Sequence, residues 1–468
     1  MSAKGGKPSP HGTSRFLTRW QRFKALNRIN KGFTLDGRNR ISKKRSFQNV
    51  VVVAGTGSGK TTTVCIPSAL NVTGSLVCTD PSGEIYQATA GWLAGSGYDI
   101  KVINPTNPGK SLCFNPLARA RSESDILKIG QVLVDAATAG EYKGDRFWLD
   151  GARGVITLFI KALRSEPEQY QNLANVLRLL NSFGTNGSIF DTWFNNHPNP
   201  TLWNTWKGIY SNPEKTLQGF LSTAKTALEK LADPDIAAVT ARETLNFETI
   251  RERKTAIYIQ IPENEIKYYS FFTTLFYTQL FNFLMTMPAK DEHDVFIIGE
   301  EWGNQAAIPG FPSVVTTTRK RRVAIMMVLQ SLSQLDDVYG TNQAKTILGG
   351  GCLNHLYLAG LSHEMCRQLQ DVLGKTTIEI KDPFSGATRQ ASRNLLNADE
   401  IRTMPSTSGL YIYNNQYPAR LRMKPWYKHQ GLKVKAALKA PALPVNDITE
   451  LEYFPIPMPP GEEPEKTT

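Results

Sequence analysis

Short, uninterrupted apolar runs alternate with helix-periodic segments along much of this chain. The runs are rich in β-branched residues and lack the polar alternation of half-exposed strands, which is the pattern of parallel strands covered on both faces. They lie at residues 49–54, 75–80, 101–105, 255–262, 294–304, 323–331, 355–360 and 409–415. Because helical segments separate most of them, the pattern predicts an α/β fold with a mainly parallel sheet and right-handed crossovers.

The pattern changes between residues 123 and 248, where the periodic segments are all helical. This part is predicted to be an all-α domain inserted into a sheet domain that is split in sequence. Its aromatic residues Trp193, Phe194, Trp203 and Trp206 are expected to be core. The predicted organisation is a basic N-terminal arm (1–45), the first part of the sheet domain (46–122), the all-α domain (123–248), the second part of the sheet domain (249–435) and a Pro-rich acidic tail (436–468).

Three segments bear on membranes and mobility. Residues 268–287 carry no charge, yet they include seven Ser, Thr, Asn and Gln side chains, so a buried core helix is favoured over a membrane span. The first fifteen residues are polar and rich in Gly and Pro, which does not fit a secretory signal. The C-terminal tail is expected to be extended or mobile.

Residues 46–70 join the first predicted strand to a helix through a glycine-rich turn. Glycines at alternate positions let the backbone direct its N–H groups around an anion, a path that side chains would obstruct. Lys60 supplies charge to the β and γ phosphates, and Thr61 supplies a hydroxyl for Mg²⁺. Ala54 takes the place of the first Gly of the P-loop pattern. The predicted residues binding ATP and Mg²⁺ are Gly55, Thr56, Gly57, Ser58, Gly59, Lys60, Thr61 and Thr62.

A P-loop needs carboxylates from a second strand to hold Mg²⁺ and to activate water. Glu300 and Glu301 follow the apolar run at residues 295–298. From their order along the strand, Glu300 is predicted to be the metal-side carboxylate and Glu301 the catalytic base.

Two further residues are predicted to take part in catalysis. Gln330 follows the apolar run at 323–329, so it should lie at the carboxyl edge of the sheet, where α/β proteins bind ligands. The basic run at residues 319–322 offers an arginine that could stabilise the phosphoryl charge in a neighbouring subunit. For each member of that run, a solvated helix end is the simpler alternative.

The charge of the chain is concentrated at its start. Residues 1–48 hold thirteen Lys and Arg and one acid, so they carry +12 of the net +13. Residues 15–33 are predicted to form a basic amphipathic helix, and three interpretations stay open: contact with an anionic membrane or a partner, contact with nucleic acid, and packing on the main domain.

The five cysteines have no metal-ligand spacing, which fits a reduced cytosolic setting without structural zinc.

Several separated blocks resemble one family, the type IV secretion system coupling proteins, which are TraG/TraD-like conjugative DNA transfer ATPases. The blocks are AGTGSGKT, DPSGEIYQATAGWLAGSGYDIKVINP with FNPL after it, RFWLDGARGVI, IIGEEWGNQAAIP, and VLQSLSQLDDVYG with ILGG after it. They follow the order of the family and cover residues 47–374. Agreement of several blocks is more specific than the P-loop alone.

The resemblance implies a RecA-like P-loop NTPase that works as a homo-hexameric motor. Such a protein hydrolyses ATP with Mg²⁺ and recruits a relaxase bound to single-stranded DNA to the type IV secretion channel. Carried over by position, Lys60 and Thr61 are the phosphate and Mg²⁺ residues, and Glu300 and Glu301 take the Asp-Glu places. Arg319 falls at the family's arginine finger, and Gln330 at its motif III glutamine.

Three departures from the family pattern stand out. Glu300 replaces the usual Asp, Ser82 stands where Lys is common, and the family's N-terminal transmembrane helices are not present in this sequence. The expectation is therefore a cytoplasmic protein at the cytoplasmic face of the inner membrane, held by peripheral contact of the basic arm or by another subunit. Two alternatives stay open: a substrate-receptor scaffold with little ATPase activity, and a HerA/FtsK-like DNA-translocating ATPase that is not linked to secretion.

Overall fold

A nine-stranded sheet forms the centre of the computed structural model, which describes residues 11–137, 145–184, 187–381, 384, 387–443 and 451–456. The strands are β1 (Val50–Val53), β2 (Ser75–Thr79), β3 (Asp99–Ile103), β4 (Thr255–Ile259), β5 (Val295–Gly299), β6 (Val323–Leu329), β7 (Asn354–Leu358), β8 (Lys375–Lys381), β9 (Thr388–Asn394), β10 (Ser408–Tyr413) and β11 (Ala419–Arg422). The order across the sheet is β11-β10-β7-β1-β6-β5-β2-β4-β3. Pairing is parallel from β7 to β3, whereas β10 pairs antiparallel with both β7 and β11.

The strands alternate with helices or enclose groups of them. The helices are α1 (Arg19–Ala25), α2 (Lys43–Ser46), α3 (Ile66–Leu70), α4 (Glu84–Gly95), α5 (Glu123–Ala137), α6 (Arg146–Leu163), α7 (Leu173–Phe183), α8 (Ile189–Asn195), α9 (Thr201–Tyr210), α10 (Glu214–Leu228), α11 (Pro234–Thr240), α12 (Thr249–Glu252), α13 (Ser270–Leu284), α14 (Phe311–Thr317), α15 (Ser333–Tyr339), α16 (Thr341–Thr346), α17 (His363–Leu373), α18 (Ala398–Arg402) and α19 (Gln430–Ala436).

All the predicted strands are present, although several end two or more residues earlier than expected. Three strands were not predicted. The β8–β9 hairpin is largely exposed and polar, so it lacks the apolar run that marked the others. The edge strand β11 has only four residues, and its burial alternates. Solvent exposure of one face therefore weakened the signal in each of these strands.

Side chains of successive β1 residues enter two different cores, because strand side chains alternate between faces. Val51 and Val53 belong to the core that continues into the all-α part, and Val50 and Val52 to the core beneath α3 and α4. All four are fully buried. Between β3 and β4, the described residues contain helices and no strand, which agrees with the predicted all-α insertion.

The uncharged segment at residues 268–287, for which a buried core helix was favoured over a membrane span, contains the core helix α13. Phe272, Leu275 and Phe276 on this helix are buried against the all-α part and the sheet. Within the ranges that the structure describes, no helix combines the length and apolar character needed to cross a membrane. The interpretation as a buried helix is confirmed.

The N-terminal segment differs from the predicted arm and its helix over residues 15–33. The helix α1 ends at Ala25, because the Asn27 side chain accepts the backbone N–H groups of Ile29 and Asn30 and thereby turns the chain. The following residues enter the core beneath the sheet, and the buried members are Leu26, Phe33, Leu35 and Ile41. Of the three interpretations of this basic segment, packing on the main domain therefore holds for these residues.

The C-terminal tail was predicted to be extended or mobile, but two of its described stretches contact the domains. Tyr86 on α4 donates its hydroxyl hydrogen to the carbonyl oxygen of Pro441 at 2.8 Å. Further along, Phe454 is buried against the all-α part. The described residues beyond Ala436 form no helix or strand, and these contacts dock them on the domains. Residues 444–450 and 457–468 of the predicted tail lie outside the described residues.

Candidate nucleotide-binding site

The loop after β1 has the backbone that its glycines predict. Gly57 and Gly59 adopt φ angles of +73° and +78°, in the left-handed region that favours glycine. Gly55 is needed for another reason, since a Cβ there would lie 2.2 Å from the carbonyl oxygen of Gly360, just beyond β7. The loop is thus fitted against the neighbouring strand.

The helix that follows the loop begins with a widened turn. Residues 61–65 form a π-helical turn before α3, and Pro67 has no backbone N–H to continue a regular ladder. The hydroxyls of Thr62 and Thr63 donate to the carbonyl oxygen of Gly59, at 3.1 and 2.7 Å. Lys60 therefore stands at the first position of a helix that is anchored to the loop.

The Lys60 ammonium group forms an ion pair with Oε1 of Glu301. The two side chains are only 13% and 4% exposed. Gln330, at the end of β6, donates from Nε2 to Oε2 of Glu301 at 3.1 Å. Both carboxylate oxygens of Glu301 are thus engaged by residues from two other strand ends.

Glu301 also has a left-handed backbone, with φ of 53°. This conformation costs a residue with a side chain on the order of 1 kcal/mol or more, and such residues cluster at functional sites. The turn after β5 thus directs adjacent glutamates to different partners of the P-loop. The sequence could not reveal it, because nothing in the residue types around Glu301 demands a positive φ.

The second glutamate, Glu300, accepts a hydrogen bond on Oε1 from the hydroxyl of Thr61. Its backbone carbonyl accepts another from Thr79 at the end of β2, at 2.9 Å. Burial raises the pKa of Glu300 to about 7; the Thr61 hydrogen bond and the Lys60 charge oppose the rise, while the Asp80 and Glu301 charges add to it. Near neutral pH, a cation at this carboxylate competes with a proton.

Asp80 is a third buried acid at this edge, and its role was not predicted. Its two carboxylate oxygens accept the backbone N–H groups of Ile85 at 3.1 Å and Tyr86 at 2.7 Å, at the start of α4. Burial raises the pKa of Asp80 to about 6, and these two hydrogen bonds oppose the rise. An acid at the end of a buried strand, followed by a turn with Gly83, was the available signal. Asp80 positions α4 and adds negative charge beside Glu300.

Arg319 is the predicted site residue that the fold does not bring to the P-loop of its own chain. It is exposed and precedes β6, at the edge of the sheet opposite Gln330. The neighbouring Arg321 and Arg322 bind carbonyl oxygens of Met285 and Glu292. Lys320 is exposed like Arg319. Any contact of Arg319 with a phosphate must therefore be made with another molecule.

The residues around the loop fit a nucleoside triphosphate with Mg²⁺. The Ser58 hydroxyl oxygen is buried and has no hydrogen-bond partner among the described residues, so it is available to a phosphate oxygen. The Lys60 ammonium group supplies positive charge, and the loop supplies backbone N–H groups. The Thr61 hydroxyl and Glu300 carboxylate are oxygen donors of the kind that Mg²⁺ prefers. Thr56 and Thr62 lie on the same loop and helix start.

The sequence profile of the family described as "Type IV secretory system Conjugative DNA transfer" matches residues 13–448 of this chain. The chain belongs to this family. Protein VirD4 of Rhizobium radiobacter is 24% identical to it over 400 residues, which cover 82% of the chain and 57% of that protein. Protein VirD4 of Agrobacterium fabrum (strain C58 / ATCC 33970) is 22% identical over 411 residues, or 84% of the chain and 61% of that protein. The chain thus spans about three fifths of the length of these relatives.

Solved structures of conjugative coupling proteins have the same fold. Plasmid coupling protein TrwB in complex with ADP and Mg²⁺ matches with a TM-score of 0.67 and 15% identity, over 91% of this chain and 97% of that one. The trigonal form of the conjugative coupling protein TrwBdeltaN70 with sulphate matches with a TM-score of 0.69 and 15% identity, over 90% and 96%. The predicted fold class, a RecA-like P-loop NTPase domain with an inserted all-α domain, is confirmed.

Proposed function

We propose that this chain is an ATP-hydrolysing coupling protein that drives single-stranded DNA into a type IV secretion channel during conjugation. The observation that carries the proposal is the convergence of Lys60 and Thr61 with Glu301 and Glu300 at one edge of the sheet. Membership in the conjugative DNA transfer family supplies the biological setting. The TrwB structures with ADP and Mg²⁺ and with an ATP analogue support nucleotide as the ligand of this site.

In the proposed mechanism, Lys60 and the loop N–H groups hold the phosphates of ATP. Thr61 and Glu300 would hold Mg²⁺, which would supply positive charge to neutralise the phosphates. Glu301 is the catalytic base that accepts a proton from the attacking water, once the phosphates have replaced it as the partner of Lys60. Gln330, already bonded to Glu301, orients that water through its amide.

The partners in the proposal are single-stranded DNA, a relaxase and components of the secretion channel. The active form is a homo-hexamer in which Arg319 reaches the nucleotide of the neighbouring subunit. The exposure of Arg319 at the edge opposite its own P-loop supports this role, because only a second subunit could bring it to a phosphate. Arg321 and Arg322 are less suited, since both are tied to backbone carbonyls of their own chain.

The proposed location is the cytoplasmic face of the inner membrane, with peripheral contact through the N-terminal segment. Trp20 and Phe23 on α1 are 64% and 60% exposed, although they are large and apolar. They line a cleft of about 700 Å³ together with Arg19, Arg22 and Arg422. Exposed aromatic residues among arginines suit an anionic lipid surface.

Measuring ATP hydrolysis with and without single-stranded DNA tests the motor directly. We expect DNA to stimulate hydrolysis by the wild-type protein and Lys60→Ala to abolish both the basal and the stimulated rates. Lys345→Ala, which removes an exposed positive charge on α16, is the matched control and should behave as wild type. A slow rate that DNA does not change would contradict a DNA-driven motor.

A second candidate is a substrate-receptor scaffold in which nucleotide only stabilises assembly. The pKa of about 7 at Glu300 favours it, because a carboxyl that is partly protonated near neutral pH holds Mg²⁺ less firmly. The two candidates differ in a conjugation assay. A motor loses DNA transfer when Glu301 is replaced by Gln, whereas a scaffold keeps it.

A further inference from the structure

A short segment near the C-terminus, Leu451–Ile456, packs on the all-α domain without helix or strand, and Pro455 favours an extended backbone at the preceding Phe454. The Phe454 side chain is 6% exposed. Its ring lies between those of Tyr170 and Trp193, with centroid separations of 5.6 and 5.2 Å. An extended stretch is thus anchored by one aromatic side chain in an aromatic pocket, as in many peptide complexes.

Side chains of the all-α domain also form hydrogen bonds with the backbone of this segment. Asn175 on α7 accepts the N–H of Phe454 on Oδ1 at 2.8 Å and donates from Nδ2 to the carbonyl oxygen of Glu452 at 3.0 Å. Arg178, on the same face of α7, donates from Nε to the carbonyl oxygen of Phe454 at 3.3 Å. Three peptide groups are therefore held by two side chains.

These contacts form a built site, because its central polar group, Asn175, is buried and the domain itself orients it. Asn175 is fully buried, and its Nδ2 also donates to the carbonyl oxygen of Tyr170 at 3.2 Å, which fixes the orientation of the amide. Trp193 is oriented by a hydrogen bond from Nε1 to Oε1 of Glu166 at 2.8 Å. The pocket thus has its own supporting contacts, apart from those to the segment.

The chemistry of the site sets what it accepts. Backbone contacts admit any extended peptide, so the selective element is the pocket of Phe454. Pro455 follows and has no N–H that would need a partner. Beside the segment runs a cleft of about 850 Å³ lined by apolar residues of α7 and α11, with Leu177 and Ala237 among them. A longer or bulkier peptide could use this cleft in addition.

We propose that the all-α domain carries a docking site for an extended segment of a partner protein, with an aromatic residue followed by proline, and that the chain's own Leu451–Ile456 occupies this site in cis. A tethered segment has a high effective concentration, so it excludes weak competitors and yields to partners that make further contacts in the cleft. The site uses no residue of the nucleotide site, and the proposal does not depend on ATP hydrolysis.

The test uses the full chain and a fluorescein-labelled peptide TELEYFPIP, the sequence of residues 449–457. The substitution Phe454→Ala in the chain should release the cis segment, so this variant should bind the probe about tenfold more tightly than wild type, by fluorescence anisotropy. Adding Asn175→Ala or Arg178→Ala to Phe454→Ala should weaken binding by about tenfold. The control Asn195→Ala, an exposed asparagine on α8, should leave binding unchanged.

Four results would overturn the proposal. The Phe454→Ala chain could fail to bind the probe, or it could bind a probe with Ala in place of Phe equally well. The Asn175 and Arg178 variants could bind as tightly as their parent. Alternatively, the wild-type chain could form dimers by exchanging tails, seen by light scattering, while no variant binds the probe. Since Asn175 is buried, Arg178→Ala decides the matter if the Asn175 variant does not fold. Retained ATP hydrolysis in these variants separates the result from a failure of the motor.

Discussion

The hydroxyl of Thr61 donates a hydrogen bond to Oε1 of Glu300, although 239 positions separate the two residues in the chain. The sheet explains this contact. The strand β6 pairs with β1 on one side and with β5 on the other, with Leu329 beside Val53 and Met327 beside Gly299. The P-loop and the two glutamates therefore leave the sheet at the same edge, with Gln330 between them.

Replacing Glu301 by Gln should separate nucleotide binding from hydrolysis. The amide cannot accept the proton of the attacking water, so we expect hydrolysis to fall by about 10²- to 10⁴-fold. Binding of a fluorescent ATP analogue should be retained or become tighter, because the ion pair that competes with the phosphates for Lys60 is lost. The control Glu263→Gln, at an exposed position, should leave both measurements unchanged. Equal losses of binding and hydrolysis in the Glu301 variant would contradict its role as the base.

The metal-free protein should lose stability as the pH rises from 4.5 to about 7. The native state holds the Glu300 proton up to a pKa of about 7, whereas the unfolded chain releases it at the ordinary value of 4.5. Between these values the native state binds more protons, so the free energy of unfolding falls with rising pH, by roughly 3 kcal/mol for this group. Chemical denaturation of Glu300→Gln in EDTA should show a flatter pH profile than that of the wild type. The difference in the free energy of unfolding between variant and wild type should favour the variant more at about pH 8 than at about pH 5. An unchanged slope in the variant would refute this assignment.

Mixing two inactive variants should reveal whether Arg319 acts on a neighbouring subunit. Arg319→Ala should lower hydrolysis by at least about 10²-fold, while Lys320→Ala, its exposed neighbour, should have little effect. A mixture of Arg319→Ala and Lys60→Ala should regain part of the activity, because some interfaces then pair an intact P-loop with an intact arginine. If no mixing ratio restores hydrolysis and the variants still co-assemble, the arginine does not act in trans.

Asn49 should be a large single contributor to stability. Its buried Nδ2 donates to the carbonyl oxygens of Val315 and Gly351, both at 2.9 Å, and its Oδ1 accepts the N–H of Ile325 at 2.9 Å. Asn49→Ala removes these buried hydrogen bonds, so we expect a loss of roughly 2–4 kcal/mol in urea unfolding.

The backbone of Asn49 allows the two causes of that loss to be separated, because its φ is 49°. Asn49→Gly tolerates this conformation but also lacks the amide. It should therefore be nearly as unstable as Asn49→Ala. Recovery of wild-type stability in the Gly variant would mean that backbone strain, and not the hydrogen bonds, accounts for the effect.

The exposed aromatic residues of α1 offer a test of membrane contact that leaves the core intact. Removing residues 1–45 would also remove the buried Phe33 and Leu35, so substitutions are the better experiment. We expect the double variant Trp20→Ser and Phe23→Ser to bind anionic lipid vesicles at least about tenfold more weakly in co-sedimentation. The control Leu127→Ser alters a side chain that is 48% exposed elsewhere. Unchanged vesicle binding, together with weaker and less salt-dependent binding of DNA, would assign the surface to nucleic acid.

Residue order alone determined the strands, the all-α insertion and the P-loop, because each depends on local properties. Continuous apolar runs mark buried strands, and the glycines before Lys60 mark a loop that binds phosphate. The order of Glu300 and Glu301 after β5 predicted a metal-side carboxylate and a base, but it did not predict that Glu301 pairs with Lys60. The exposed strands β8, β9 and β11 were missed because they have little apolar surface to bury.

Only the tertiary structure decided how distant segments are used. The residue types near Glu301 do not predict its left-handed backbone. The residues near Asn175 do not predict that a segment almost three hundred positions later packs on it. The charge of the basic N-terminal segment left three interpretations open, and the burial of Phe33 beneath the sheet shows that part of the segment packs on the main domain. Burial depends on which surfaces meet after folding. The charge and periodicity of a segment show which kinds of surface it can pack against. The topology of the whole chain decides which surface lies next to it.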